Sequence, residues 1–264
     1  MSAEPAARIA LIHALEESIA PSHRAFAEEW PEAWCFDLTD SSLSHDRAAH
    51  GRLDGAIAGR IRALAAYAEA GEGHGGRTAG ILFTCSAFGP AIDAARDLAG
   101  VPVLKPNEAA FCEAVDAGSR IGLVVTFVPS LASLEAELRA TALALGRQVE
   151  IRSVLAEGAL AALKAGDGAA HDRLAAEAAR SLGEVDAVVL GQFSLARAAG
   201  EVRRATALPV ITTPHSAVRA LRKLCGAPHS SLSRSNGEGR NLSRHSRESG
   251  NDEGNGGGRG KAEG

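Results

Sequence analysis

The chain has 264 residues, 45% of them hydrophobic and 4% aromatic, and a formal net charge of −4. That length allows one large domain or two small ones with ample core. The charge balance carries neither a nucleic-acid footprint nor a basic membrane-binding face, and scarce aromatics argue against base stacking. No apolar run reaches membrane-spanning length, and Met1 to Arg8 lacks a signal-peptide pattern. The four cysteines, at 35, 85, 112 and 225, have no CxxC or zinc-like spacing. Individual thiols in a reducing cytoplasm, and no metal site, are the expectation.

Taken in order, Arg8–His13 reads as a short apolar strand, followed by a loop with Pro21 and an amphipathic segment from His23 to Trp30. Trp34–Leu38 reads as a second strand that ends in the polar cluster Thr39-Asp40-Ser41-Ser42. Residues 46 to 70 place Leu53, Ile57, Ile61, Leu64 and Tyr67 at helical spacing, which predicts one long helix. Gly71-Glu-Gly-His-Gly-Gly76 matches G-x-G-x-x-G, but it follows a helix and precedes a strand. A phosphate-binding turn needs the opposite order, so this stretch reads as an αβ loop.

Ile81–Thr84 is a strand, and Cys85-Ser86 stands between it and the helix that follows. Val101–Leu104 is another strand, with Lys105-Pro-Asn-Glu108 at its exit. Asn107 fits the N-cap of a helix through Val115, which Gly118 closes. Strands are then expected at Arg120–Thr126, Val149–Val154, Val185–Leu190 and Pro209–Thr212. Helices are expected at Leu131–Leu145, Glu157–Lys164, Ala169–Leu182, Leu195–Ala205 and Ala217–Leu224. Alternating strands and helices indicate an α/β fold with parallel sheets. From 226 to 264 large apolar residues nearly vanish, so this tail is expected to be disordered.

The two series repeat. Arg8-Ile-Ala-Leu-Ile and Arg120-Ile-Gly-Leu-Val lie 112 residues apart, while Ile81-Leu-Phe-Thr-Cys85 and Val188-Val-Leu-Gly-Gln192 lie 107 apart. Val101-Pro102-Val103 and Leu208-Pro209-Val210 keep that second offset. Ordered matches at nearly one spacing predict two pseudo-symmetric parallel-sheet α/β halves, 1–116 and 117–206. A final strand and helix, 207–225, are expected to return to the first half. The strand tips of two such halves would enclose a cleft. Delivered to it are His13, Ser42, Cys85, Ser86, Glu108, Thr126, Gln192 and His215, with Cys85 and Gln192 at equivalent places on opposite walls.

A thiol at a strand tip and helix mouth is expected to have a lowered pKa, which suits a nucleophile or an acid/base. Ser86 and Thr126 fit carboxylate holders or local caps. Glu108 and His215 are candidate proton donors, although Glu108 also fits a first-turn charge against the helix dipole. His13 fits a carboxylate ligand or a proton relay, or equally a core position.

These motifs resemble the aspartate/glutamate racemase superfamily, which includes hydantoin racemases, maleate isomerases and arylmalonate decarboxylases. The resemblance covers about residues 8 to 225. It rests on Thr84-Cys85-Ser86, Val101-Pro-Val103, Ile121-Gly-Leu-Val-Val-Thr126 and Val188-Val-Leu-Gly191. It implies a cofactor-independent enzyme, a small carboxylate substrate between two α/β halves, and a homodimer; nothing in the chain itself signals the dimer. Racemases of this kind use two cysteines on opposite faces of the substrate. The first corresponds to Cys85, and the second position holds Gln192. An amide has no proton titrating near neutral pH, so a two-cysteine racemization is not expected. The reading is proton transfer or rearrangement next to a carboxylate, using Cys85. Alternatives are a non-catalytic carboxylate-binding protein and a cysteine-dependent lyase or hydrolase.

Overall fold

The structure is a computed structural model that describes residues 7–226. The first series runs β1 (Ala7–His13), α1 (Ile19–Glu29), β2 (Ala33–Thr39), α2 (Ser42–His50), α3 (Gly55–Glu69), β3 (Glu72–Gly73), β4 (Gly76–Phe83), α4 (Gly89–Arg96), β5 (Val103–Leu104) and α5 (Glu108–Ala117). The second runs β6 (Arg120–Val125), α6 (Val128–Ala144), β7 (Glu150–Leu155), α7 (Ala159–Lys164), α8 (Gly168–Arg180), β8 (Ala187–Leu190), α9 (Ala199–Thr206), β9 (Val210–Thr212) and α10 (Thr213–Gly226).

Each series makes its own parallel sheet, in the orders β2-β1-β4-β5 and β7-β6-β8-β9, with β3 folded back antiparallel on the start of β4. Central strands β1, β6 and β8 are apolar on both faces and almost wholly buried, as a sheet covered by helices on two sides requires. Edge strands β2 and β7 are partly exposed. Matching backbone bonds fix the correspondence of the halves. Thr84 N–H donates to Ile12 O (3.0 Å) as Gly191 N–H donates to Val124 O (2.9 Å), and Ile81 to Pro102 as Val188 to Pro209, both at 2.9 Å. Cys85 and Gln192 are each the next residue after the first of these pairs.

The predicted helix over 46–70 is two helices. Gly51 adopts the left-handed conformation (φ 63°), and Asp54 restarts the chain by accepting from Ile57 N–H at 3.0 Å. The glycine-rich stretch is a tight hairpin turn between β3 and β4, whose His74 carbonyl accepts from Arg8. Asn107 precedes α5, but its buried side chain makes no capping bond.

The boundary between halves is crossed twice. Helix α5 leaves the first sheet and buries Phe111, Ala114 and Val115 against Ile121, Leu123, Val125 and Val189 of the second. Helix α10 leaves the second sheet and buries Ala217, Val218 and Leu221 against Ile9, Leu11 and Leu82 of the first. The expected return of 207–225 is therefore corrected: α10 crosses back, while β9 stays paired with β8. A three-residue strand needs the ladder it continues, whereas an amphipathic helix needs only an open apolar face. Gly226 ends α10, and the rest of the tail expected to be disordered lies outside the described residues.

Phe111 and Leu221 are both fully buried. Phe111→Ala should cost about 3–5 kcal/mol and Leu221→Ala about 2–5 kcal/mol in urea unfolding. Each truncation should lower the stability of both sheets in one shared transition, because each helix completes the core of the other half.

Candidate functional site

Both central sheet tips are built on one plan. In the first half, Ser18 Oγ donates to Leu15 O (2.7 Å) and meets Thr84 Oγ1 (2.9 Å), the residue beside Cys85. In the second half, Ser130 Oγ donates to Phe127 O (2.8 Å) and accepts from Gln192 Nε2 (3.0 Å). Ser18 and Ser130 are 112 residues apart, the offset that relates Arg8 to Arg120. Sequence reading missed both serines, and extending that offset beyond the strands would have found them.

The first tip rests on His13. Its ring is fully buried, with Nδ1 within 2.9 Å of both Ser18 Oγ and Thr84 Oγ1 and Nε2 2.9 Å from Asp37 Oδ1. A carboxylate at Nε2 selects the tautomer that donates there, leaving Nδ1 to accept from Thr84. Burial holds the imidazole below its ordinary pKa despite the opposing pull of Asp37. With both nitrogens engaged and no exposed surface, His13 braces the tip from beneath, in the core position that is one of its expected roles.

Cys85 is half-buried against the first core. Burial pushes its thiol above the ordinary value, and the Ala87 backbone N–H donating toward the sulfur offsets this in part. The expected lowering is thus corrected. A short 3-10 turn, Ser86–Phe88, intervenes, and α4 starts only at Gly89, so no long helix dipole ends on the sulfur. Burial also raises the other three thiols, Cys35 to about 12, Cys225 to about 11, and Cys112.

At the second tip, Gln192 is fixed by its own half. Its Oε1 accepts from both the N–H (2.7 Å) and the hydroxyl (2.8 Å) of Thr126. Both donors of Thr126 are therefore occupied by Gln192. One amide hydrogen of Gln192 goes to Ser130, and the second has no partner in this network. The 3-10 turn after Cys85 packs on α6, and the turn after His13 packs on the one after Gln192, so the turns of the two tips meet across the seam.

The remaining candidates are held elsewhere. Ser42 Oγ donates to Asp40 (2.7 Å) within a cluster centred on Arg60. Glu108 accepts from Arg96 (2.6 Å) and the Lys105 N–H (3.2 Å), an ion pair inside the first half. His215 bridges Thr212 Oγ1 (2.6 Å) and Glu28 (2.9 Å). It borders cavities of about 380 and 230 Å³, neither of which takes a wall from Cys85, Ser86, Thr126 or Gln192. Among the described residues no cluster of His, Cys, Asp and Glu is arranged to hold a metal, and no helix is long and apolar enough to cross a membrane.

A family model for Asp/Glu/hydantoin racemases matches residues 12–221. Among solved structures, an allantoin racemase from Klebsiella pneumoniae is 25% identical with a TM-score of 0.59, the match covering 83% of this chain and 87% of that one. An allantoin racemase from Pseudomonas fluorescens is 17% identical (TM-score 0.62, 82% and 90% covered). A glutamate racemase from Bacillus anthracis is 12% identical (TM-score 0.59, 83% and 81% covered). No curated protein matches by sequence.

The His13 network gives a pH signature. Its folded pKa lies below 6.5, whereas an imidazole in the unfolded chain titrates near ~6.5. As pH falls the unfolded state takes up the proton first, so stability is full above about 7 and declines through about 6.5. Urea unfolding at stepped pH should give a shallower decline in His13→Asn; equal slopes would assign it to other groups.

Proposed function

The chain belongs to the Asp/Glu/hydantoin racemase family, and on that premise we propose an enzyme that moves a proton at the carbon next to a carboxylate, with Cys85 as its acid/base and no cofactor. The observation that carries this reading is the matched pair of tips, in which Cys85 and Gln192 occupy corresponding positions. Only one of the two side chains can exchange a proton near neutral pH.

In this mechanism Cys85 rests as a thiol, in keeping with its raised pKa. Passing its proton to solvent gives the thiolate, which takes the α-proton of the substrate; the C–H electron pair moves into the carboxylate as an enediolate, and the re-formed thiol, after exchanging its proton with solvent, returns one to the same carbon. The carboxylate is held by the Ser86 hydroxyl and backbone N–H and by the remaining amide hydrogen of Gln192. Thr126 acts through Gln192, since both of its donors fix that amide. Glu108 and His215 take no part, being bound to Arg96 and Glu28.

The test is deuterium exchange at the α-carbon of small amino and carboxylic acids, followed by NMR. Cys85→Ala and Cys85→Ser should each lower exchange by at least about 10²-fold with little change in melting temperature. Undiminished exchange in both would remove Cys85 from the chemistry. Gln192→Cys puts a second thiol on the opposite wall and should raise two-sided exchange, read as faster loss of optical rotation. A second reading, a carboxylate-binding protein, is favoured by the amide lock on Thr126. It predicts calorimetric binding with no exchange in the native chain.

A further inference from the structure

Leu15 and Phe127 are equivalent residues of the two tips, and both are large, apolar and open to solvent, at 40% and 44% exposure. Their backbones are pinned alike. Each carbonyl accepts a serine hydroxyl, Ser18 at 2.7 Å and Ser130 at 2.8 Å, and the same serine's N–H at 3.3 and 3.1 Å. Val128 beside Phe127 is 63% exposed. Among the described residues, these are three of the eight large hydrophobics left exposed. Isolated exposed apolar side chains are ordinary, but the same exposure at equivalent positions of the two tips is not scattered.

The charges near the tips point the same way. A second carboxylate on the substrate would need a cation to meet it, and several cations at the strand exits are already engaged. Arg60 is paired with Asp40 and Asp46, Lys105 with Asp93 (3.1 Å) and Glu137 (3.7 Å), and Lys164 with Glu17 (3.8 Å). Arg24 lines the cavities beside His215, which exclude both Cys85 and Gln192. His13 is buried, and burial favours its neutral form. The tips thus offer donors for one carboxylate and apolar surface on either side of it.

We propose that the substrate carries a single carboxylate and an apolar substituent, and that Leu15 and Phe127 are the residues that select it. This rests on the proton-transfer reading above and narrows it. The apolar group leaves water between the two side chains, so binding strengthens with its length. Substrates of the aspartate type bring a second charged group between two apolar side chains, where its lost hydration is not replaced, and they are disfavoured.

The experiment uses the full-length chain and the series alanine, 2-aminobutyrate, norvaline, norleucine and phenylalanine, with aspartate and glutamate as the two-carboxylate arm. Affinity is measured calorimetrically on Cys85→Ser, and α-deuterium exchange on the native chain. Both should rise about two- to fourfold per added methylene and lie below alanine for aspartate and glutamate. In Leu15→Ser and Phe127→Ser the norleucine-to-alanine ratio should fall towards one, a ratio that does not depend on the fraction folded. Graded binding without exchange would remove the enzymatic reading and leave the apolar selectivity standing. Tightest binding of aspartate or glutamate, unchanged ratios in both variants, or no binding by any member overturns the proposal.

Discussion

The exchange of two helices across the seam is the constraint on which the rest of the molecule depends. A four-stranded parallel sheet is apolar on both faces, and each half keeps too few helices of its own to cover both. Helix α5 supplies Phe111 to the second core, and α10 supplies Leu221 to the first. Neither sheet can therefore bury its apolar faces without a piece of the other. The relative placement of the two tips follows from that packing. Their relative position is anchored by buried side chains rather than by a flexible linker.

On that frame the tips share a backbone plan and differ in chemistry. The serine-to-carbonyl bond recurs at Ser18 and Ser130 with nearly the same length. In the first half the serine joins a buried imidazole and Thr84, which leaves Cys85 as the tip's titratable group. In the second half the serine joins an amide that has already captured both donors of Thr126. One wall can exchange a proton, and the other can only hold and orient. Duplicated halves commonly diverge in side chains while keeping the bonds that shape the loop, since a loop's geometry is fixed by its backbone partners.

Glu108, a candidate proton donor in the sequence, serves this frame instead, together with ion pairs around α10. Glu108 ties the start of α5 to Arg96, and Arg219 on α10 reaches Glu113 of α5 and Glu29 of α1. The Arg219 pairs lie where α10 meets α1 and α5, while the Glu108 pair holds the start of α5 to its own half. They are partly exposed, so their worth is modest singly. Their positions still fix the register in which each helix docks, and this accounts for charged residues at strand exits without assigning them to a reaction.

The α/β class, the two halves, and the pairing of position 85 with 192 were legible in the sequence, because strand periodicity and a constant offset survive in residue identity. Cys85 stood out because a polar residue that ends an apolar run marks a strand tip. Other features depend on contacts between residues far apart in the chain. The break at Gly51 needed a left-handed backbone that the helical spacing around it concealed. The destination of α10 needed an open apolar face on a sheet whose strands lie 139 (Leu82) to 212 (Ile9) residues before Leu221. The burial of His13 and the raised pKa of Cys85 follow from how closely neighbouring elements pack, and no local pattern records that. The sequence by itself determined which elements form and that they form twice. Tertiary structure decided which polar groups remain free, because a hydrogen-bond partner or a layer of apolar atoms arrives only when distant strands and helices come together.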